Sequence, residues 1–217
     1  MAVDLSRTSL GYAKRKTEEL GLRNIEYAQA DILELMGIGR SFDVIQSAGV
    51  LHHMADPWAA WRALLTLLRP GGFMEIGLYS ERARADFTAA RRFIQDQGFG
   101  ADPAGIRRAR RAIIALTDES PIKHTILLQD FFSISQCRDL LFHVQEQQLT
   151  IPQIKSFLIE TGLAFLGFQL DRRVLGQYAA RFPQDRTMDD LDCWEVFEQE
   201  NSRTFLAMYY FWVQKPA

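Results

Sequence analysis

Two rhythms of apolar residues alternate along the first eighty positions. Short apolar runs suit strands, and three- and four-residue steps suit helices. Ala2-Val3-Asp4-Leu5 reads as the end of a strand. Ser6 then caps a helix running to Leu20, with Gly21 as terminator and Leu10, Ala13, Thr17 and Leu20 as its inner stripe. Ile25 and Tyr27 alternate with polar neighbours in a further strand-like segment ending near Asp31, and Gly37-Ile38-Gly39 is a loop. Phe42-Asp43-Val44-Ile45 is a strand entering a loop at Ser47-Ala48-Gly49. Asp56-Pro57 opens a helix, because Asp caps free N–H groups and Pro is tolerated at the first helical position. Trp58, Trp61, Leu64, Leu65 and Leu68 share one face of it, and Pro70-Gly71-Gly72 stops it. Phe73–Tyr79 is a second apolar run. Two strands joined through a helix are expected to be parallel neighbours.

After Ser80 the pattern changes. Residues 82–116 are helical in composition and rich in Arg, and a loop around Pro121 leads to a helix near Gln136–Leu141. Thr150 starts another helix, with Ile151, Ile154, Phe157 and Leu158 inward and Gly162 at its end. Leu163–Leu170 is a strand candidate, residues 184–203 form an acidic helical insertion, and Phe205–Val213 is the final strand. Along it Tyr209, Tyr210, Phe211 and Trp212 should alternate between core and the opposite side. There is no internal repeat. The pattern predicts a single α/β domain over 1–217, with a mostly helical insertion at 82–150 and the last two strands within 163–217.

Composition narrows the function classes. A chain of 217 residues with 47% hydrophobic and 24% charged residues suits one globular domain with a core. A net charge of −2 gives no reason to expect wholesale nucleic-acid binding. No run of about 18 apolar residues suggests a membrane span, and the N-terminus lacks the apolar region of a secretory signal. Cys137 and Cys193 stand far apart, which predicts two buried thiols in a reducing compartment, the cytoplasm. His52, His53, His124 and His143 never combine with them in a zinc-type spacing, so no metal is expected.

The order and spacing of Phe42–Ser80, with its LHH…DP and RPGG punctuation, closely resemble the fourth and fifth strands of class I S-adenosylmethionine-dependent methyltransferases. More loosely, GLAFLGFQL and FLAMYYFWVQKPA resemble the sixth and seventh strands. The whole, with CRDLLFHVQEQQLTIPQI, is most similar to bacterial methyltransferase domains that follow tetratricopeptide repeats. The resemblance implies a Rossmann-like sheet flanked by helices, ordered 3-2-1-4-5-7-6, with S-adenosyl-L-methionine as cosubstrate. Val3-Asp4-Leu5-Ser6 matches the end of the family's second strand. A strand–helix–strand unit takes about 30 residues, so the first strand and its glycine-rich turn are expected to be absent. The domain is then N-terminally incomplete: a fragment, the product of a misassigned start codon, or a sheet rebuilt by a partner chain. Lacking the backbone cradle for the cosubstrate's carboxylate, the chain alone should bind it weakly or not at all.

The resemblance also assigns candidate residues. Asp4, followed by Leu5, stands where the family's ribose-binding acid stands, since a carboxylate accepts two hydroxyl hydrogen bonds at once. The plainer reading of Asp4 is a helix cap. Asp31 matches the acid that accepts from the adenine amino group, and Ile32 commonly offers its backbone N–H to the ring. Ser47, Ala48 and Gly49 lie beside the place of the methyl group. Their loop is unlike the (N/D/S)PP(Y/F/W) pattern of enzymes that methylate nucleic-acid bases or glutamine. His53 is the candidate base, although a packing and hydrogen-bonding role at a helix start is the stronger reading for both His52 and His53. Tyr79, ending the fifth strand, is a candidate to line the acceptor site. Arg107, Arg108, Arg110 and Arg111, joined by Arg84, Arg91 and Arg92, read as a solvated helix face that the acidic insertion could pair with.

Two functions from different classes follow. One is methyl transfer to an unidentified small-molecule or protein acceptor, driven mainly by positioning two bound reactants. The other is a non-catalytic methyltransferase-like module kept for binding or assembly. A glycine-rich turn after an upstream apolar strand would favour the first. Homo-oligomerisation is left open.

Overall fold

The computed structural model describes residues 1–142 and 146–217. Strand β1 (Ala2–Asp4) leads through helix α1 (Arg7–Glu19) to β2 (Tyr27–Gln29), and β1 and β2 pair in parallel as a sheet of their own. Ser6 caps α1 by accepting from the Ser9 N–H, and Gly21, at φ +74°, follows it. The expected inner stripe of α1 is not sealed. No residue of α1 is buried: Leu10, Ala13 and Thr17 are only half-buried and Leu20 is 75% exposed, because the two three-residue strands offer little cover.

The second sheet holds most of the core. Strand β3 (Phe42–Ala48) passes through α2 (Pro57–Leu67) to β4 (Leu68–Ser80), its parallel neighbour, with Val44 opposite Phe73 and Ser47 opposite Ile76. Asp56 caps α2 through the N–H groups of Trp58 and Ala59. Here α2 ends at Leu67, and β4 is already extended from Leu68 through Pro70-Gly71-Gly72, which was expected to stop the helix. Gly72 explains the fit, since a Cβ there would sit 2.9 Å from the Asp43 carbonyl oxygen.

The insertion forms a helical cap: α3 (Ala85–Asp96), α4 (Pro103–Ile114), 3-10 turns over 121–127 and 129–132, and α5 (Ile134–Phe142). It has a core of its own around Phe87, Ile106, Ile113, Phe131 and Cys137. Strand β5 (Gln148–Leu149) returns the chain to the end of β4, and α6 (Ile151–Thr161) follows with a reciprocal Thr150–Gln153 cap. Then come β6 (Ala164–Phe168), α7 (Arg172–Arg181), α8 (Leu191–Glu200) and β7 (Tyr209–Gln214). The sheet order is β3-β4-β7-β6, with β7 antiparallel to both neighbours. Burial alternates along β7 as expected. The acidic insertion resolves into α8, while α7 before it was not foreseen, its Arg-rich surface masking a short inner face that ends in buried Tyr178.

One face of this sheet packs on α2, α6 and α8, with Trp61, Ile76, Trp194 and Phe211 fully buried. Among the described residues no ion pair joins the acidic residues of α8 to the α4 arginines. Asp192 bonds Lys155, Glu195 meets Arg82 and Glu200 meets Arg181, while Arg110 lies over the Phe131 and Phe132 rings. Both cysteines are free; Cys137 is buried, but Cys193 only partly so, because it sits at the exposed start of α8.

Candidate active site

Parallel strands deliver their carboxyl ends to one edge, and ligands of open α/β sheets bind there. Asp4 ends β1, and Asp31 follows β2 by two residues. Asp4 Oδ1 accepts from the Ser6 N–H at 2.7 Å, and Asp31 Oδ1 from the Leu33 N–H at 2.9 Å. Each acid therefore caps the chain locally with one oxygen. Leu5 is 62% exposed, and its carbonyl accepts from the Gln29 side chain. Ser47 lies near the end of β3, buried, with its hydroxyl unpartnered among the described residues. Beside it, Gly77 of β4 lets Ala48 approach, since a Cβ there would fall 3.0 Å from Ala48 Cα.

A groove of about 470 Å³ runs between the two sheets. Met1, Ala2 and Val3 form one wall, and Phe42 with Val44–Ser47 forms the other. Ile32, Leu35, Leu64 and Leu67 complete its apolar lining. Among the described residues β1 pairs only with β2, and β3 only with β4, so both walls are strand edges with unpaired backbone groups. Asp4 and Ser47 stand at the carboxyl ends of those two walls.

Across β4 a second cluster forms. His52, fully buried, stacks on Tyr79 with centroids 3.8 Å apart, and the Arg84 guanidinium carbon lies 3.8 Å from the centre of the same ring. His53 meets Tyr79 edge-on at 6.3 Å. Burial, reinforced by the neighbouring His53, pushes the His52 imidazole down to about 3, so it is neutral. Neither of its ring nitrogens has a hydrogen-bond partner among the described residues. Burial raises the Tyr79 hydroxyl, which therefore keeps its proton. Arg84 and Arg91 both bond Glu146, and Arg84 and Glu146 are each 2% exposed. Burial opposes the charge on Glu146, but hydrogen bonds and the two guanidinium charges win and hold its carboxyl at about 2.

The structure thus separates what the sequence grouped. Arg84 and Arg91 do not belong to a solvated face; they are drawn inward by Glu146, from beyond the helix that carries them. Their burial had one sequence signal, since Arg84 precedes the apolar stripe of Phe87, Ala90 and Ile94. Glu146 itself had none. Among the described residues no group of His, Cys, Asp and Glu is arranged to hold a metal ion; His143 lies outside those residues.

Residues 1–76 match the family model described as a methyltransferase domain. PKMT2 from Rickettsia typhi superposes with a TM-score of 0.74 at 14% identity, over 97% of this chain and 42% of that one. The first third of the chain is thus similar to a methyltransferase domain, and the fold as a whole is similar to that of PKMT2. An uncharacterized protein of Synechococcus sp. is 27% identical over 176 residues, which cover 77% of this chain and 42% of that protein. A ubiquinone biosynthesis O-methyltransferase of Parvibaculum lavamentivorans is 33% identical over 85 residues, 39% of this chain and 33% of that enzyme. The chain therefore spans less than half the length of these relatives. PKMT2 has also been solved in complex with AdoHcy; that structure matches with a TM-score of 0.68 at 17% identity, over 97% of this chain and 43% of that one.

Proposed function

We propose that this domain transfers a methyl group from S-adenosylmethionine to an acceptor held beneath the helical cap. The observation that carries the reading is a groove lined by Ser47 and Ile32, with Asp4 at the end of the strand that forms its other wall and Asp31 next to Ile32. Asp4 accepts from the ribose hydroxyls and Asp31 from the adenine amino group. The Ile32 backbone N–H meets the adenine ring, Leu5 flanks Asp4, and Ser47 lies beside the reacting methyl. The unpartnered, buried Ser47 hydroxyl fits such a ligand, since an unsatisfied buried polar group costs about 1–3 kcal/mol. Tyr79 lines the acceptor side, and His53 is at most auxiliary. Holding two reactants in line accounts for most of the acceleration, up to about 7–11 kcal/mol in favourable cases.

The same reading gives the length of the groove between β1 and β3 to one further strand, whose turn cradles the cosubstrate's carboxylate, and only its end at Ser47 to the cosubstrate. The groove's apolar walls and two unpaired strand edges support that assignment. The free thiols are consistent with the cytoplasm, and among the described residues no helix is long and apolar enough to cross a membrane. In a longer protein the domain would follow a tetratricopeptide-repeat region.

Calorimetric titration with AdoHcy tests this. The 217-residue chain should bind more weakly than about micromolar, or −8 kcal/mol, and an added upstream strand ending in a glycine-rich turn should raise the affinity. In that extended form Asp4→Ala should weaken binding about five- to a hundredfold, the loss of one polar partner. His53→Ala should leave binding nearly intact. The reverse pattern would overturn the assignment.

A further inference from the structure

A second cavity, of about 400 Å³, opens beside the carboxyl end of β4, and no residue that lines it lines the groove between β1 and β3. The turn after β4 contributes Glu81 and Arg82, α8 contributes Glu195 and Glu198, and β5 contributes Gln148. Glu198 is only 1% exposed, yet its side chain is part of this lining. Its Oε1 accepts from the Ser80 hydroxyl at 2.5 Å, and the Tyr209 hydroxyl lies 2.9 and 2.7 Å from its two oxygens. Ser80 is held in turn by the Ala83 N–H, which donates to its oxygen at 2.9 Å. Ser80 and Tyr209 are themselves fully buried, so the carboxylate is built into the fold and not carried on a surface chain.

The two hydroxyls meet only part of what Glu198 needs. Each donates one proton, and a carboxylate has about four acceptor sites. Its charge has no counter-ion. Asp192, Glu195 and Glu200 of the same helix region each meet a cation, Lys155, Arg82 and Arg181, whereas among the described residues no ion pair includes Glu198. A buried charge is costly unless it is paired. Burial accordingly raises the Glu198 carboxyl above its ordinary value, against the pull of its two hydroxyl bonds. Arg82, the one cation in the lining, is 42% exposed and is drawn to Glu195 at 3.5 Å. The neutral groups are already committed: Thr88 donates to Gln148, Gln148 donates to Glu146, and Thr150 caps α6. What the lining has to spare is therefore carboxylate acceptors, on Glu198, Glu195 and Glu81.

We propose that this cavity is a binding site for an organic cation, an alkylammonium or guanidinium group seated on the Glu198 carboxylate. Such a group brings the positive charge that Glu198 lacks and several N–H donors for its spare acceptor sites. The volume falls in the range of small-molecule sites, about 300–1,000 Å³. A bare metal ion fits less well, since among the described residues no group of His, Cys, Asp and Glu is arranged to hold one. The site stands apart from the cosubstrate groove, and the inference holds whether or not the methyl-transfer reading does.

Agmatine, which carries a guanidinium and an ammonium on one short chain, is the probe, titrated calorimetrically into the 217-residue chain at constant ionic strength. It should bind with a Kd below about 1 mM. 1-Butanol, which has similar apolar bulk and no charge, should not bind. Glu198→Gln keeps an acceptor for Ser80 and Tyr209 but removes the charge. It should weaken agmatine at least about tenfold, with an unchanged circular dichroism spectrum. Ala85→Trp fills the cavity from α3 and leaves Glu198 in place, and it should weaken agmatine by a similar factor. This second variant decides the matter if the first does not fold. A Glu198 that merely ties α8 to β4 and β7 would change the urea midpoint when substituted and leave agmatine indifferent to both substitutions. No binding by the parent chain, equal binding of 1-butanol, or agmatine binding unchanged in either folded variant overturns the proposal.

Discussion

The two sheets of this domain are built from similar residues and reach very different burial. The β3-β4-β7-β6 sheet packs Trp61, Ile76, Trp194 and Phe211 out of contact with solvent. The β1–α1–β2 unit has the same strand–helix–strand logic, yet α1 buries nothing and Leu5, Tyr12 and Leu20 are 62%, 58% and 75% exposed. The difference lies in neighbours. A two-stranded sheet of three-residue strands has too little face to cover a helix. Four strands closed on α2, α6 and α8 provide a continuous layer. Periodicity thus marks which residues are able to be buried, and only the number of paired strands decides whether they are.

The sharpest break of this comparison is Trp61→Ala. Trp61 is fully buried and stacks with Trp58 and Phe157, so truncation should cost about 4 kcal/mol in urea denaturation. A loss under about 1 kcal/mol would mean the second sheet is no better packed than the first. Glu146→Ala should cost about 3 kcal/mol, because it strands two guanidinium groups where Arg84 is buried. Glu146→Gln should recover part of that by keeping the side-chain acceptor.

Acid should act on the second sheet first. His52 is neutral in the folded state, with its imidazole at about 3 against 6.5 unfolded. Between those values the unfolded chain binds a proton that the folded chain does not, so stability rises with pH. Lowering the pH from 6.5 to about 5 should therefore remove about 2 kcal/mol, at roughly 1.4 kcal/mol per pH unit. His52→Phe should flatten that slope in urea titrations at several pH values. Glu146 acts with the same sign lower down: its contribution is complete above 4.5 and is lost as the pH falls towards about 2. At the small end, Leu20→Gln just past the end of α1 should change stability by less than about 0.5 kcal/mol. A larger loss would show that α1 is covered in solution by something that packs on it.

Local chemistry along the chain determined much of this molecule. Ser6, Asp56 and Thr150 cap the helices they precede, because an N-cap needs only a side-chain oxygen and the next few N–H groups. The apolar runs at Phe42 and Phe73 became parallel neighbours, because a helical crossover leaves little alternative. The positions of Asp4 and Asp31 just at or after strand ends were equally legible, whereas Ser47, expected in the loop after Ile45, is still paired within β3. Tertiary structure decided the rest. Arg84 reads as surface in one dimension and is buried only because Glu146 arrives from sixty-two residues away. His52 and His53 are adjacent in sequence, yet packing against Tyr79 and Gly77 buries one and leaves the other partly exposed. Asp86 and His124 acquire a shared geometry only when the turn over 121–127 folds back on α3. Burial and pairing depend on what comes through space to each residue, and periodicity records only which face a residue occupies on its own element.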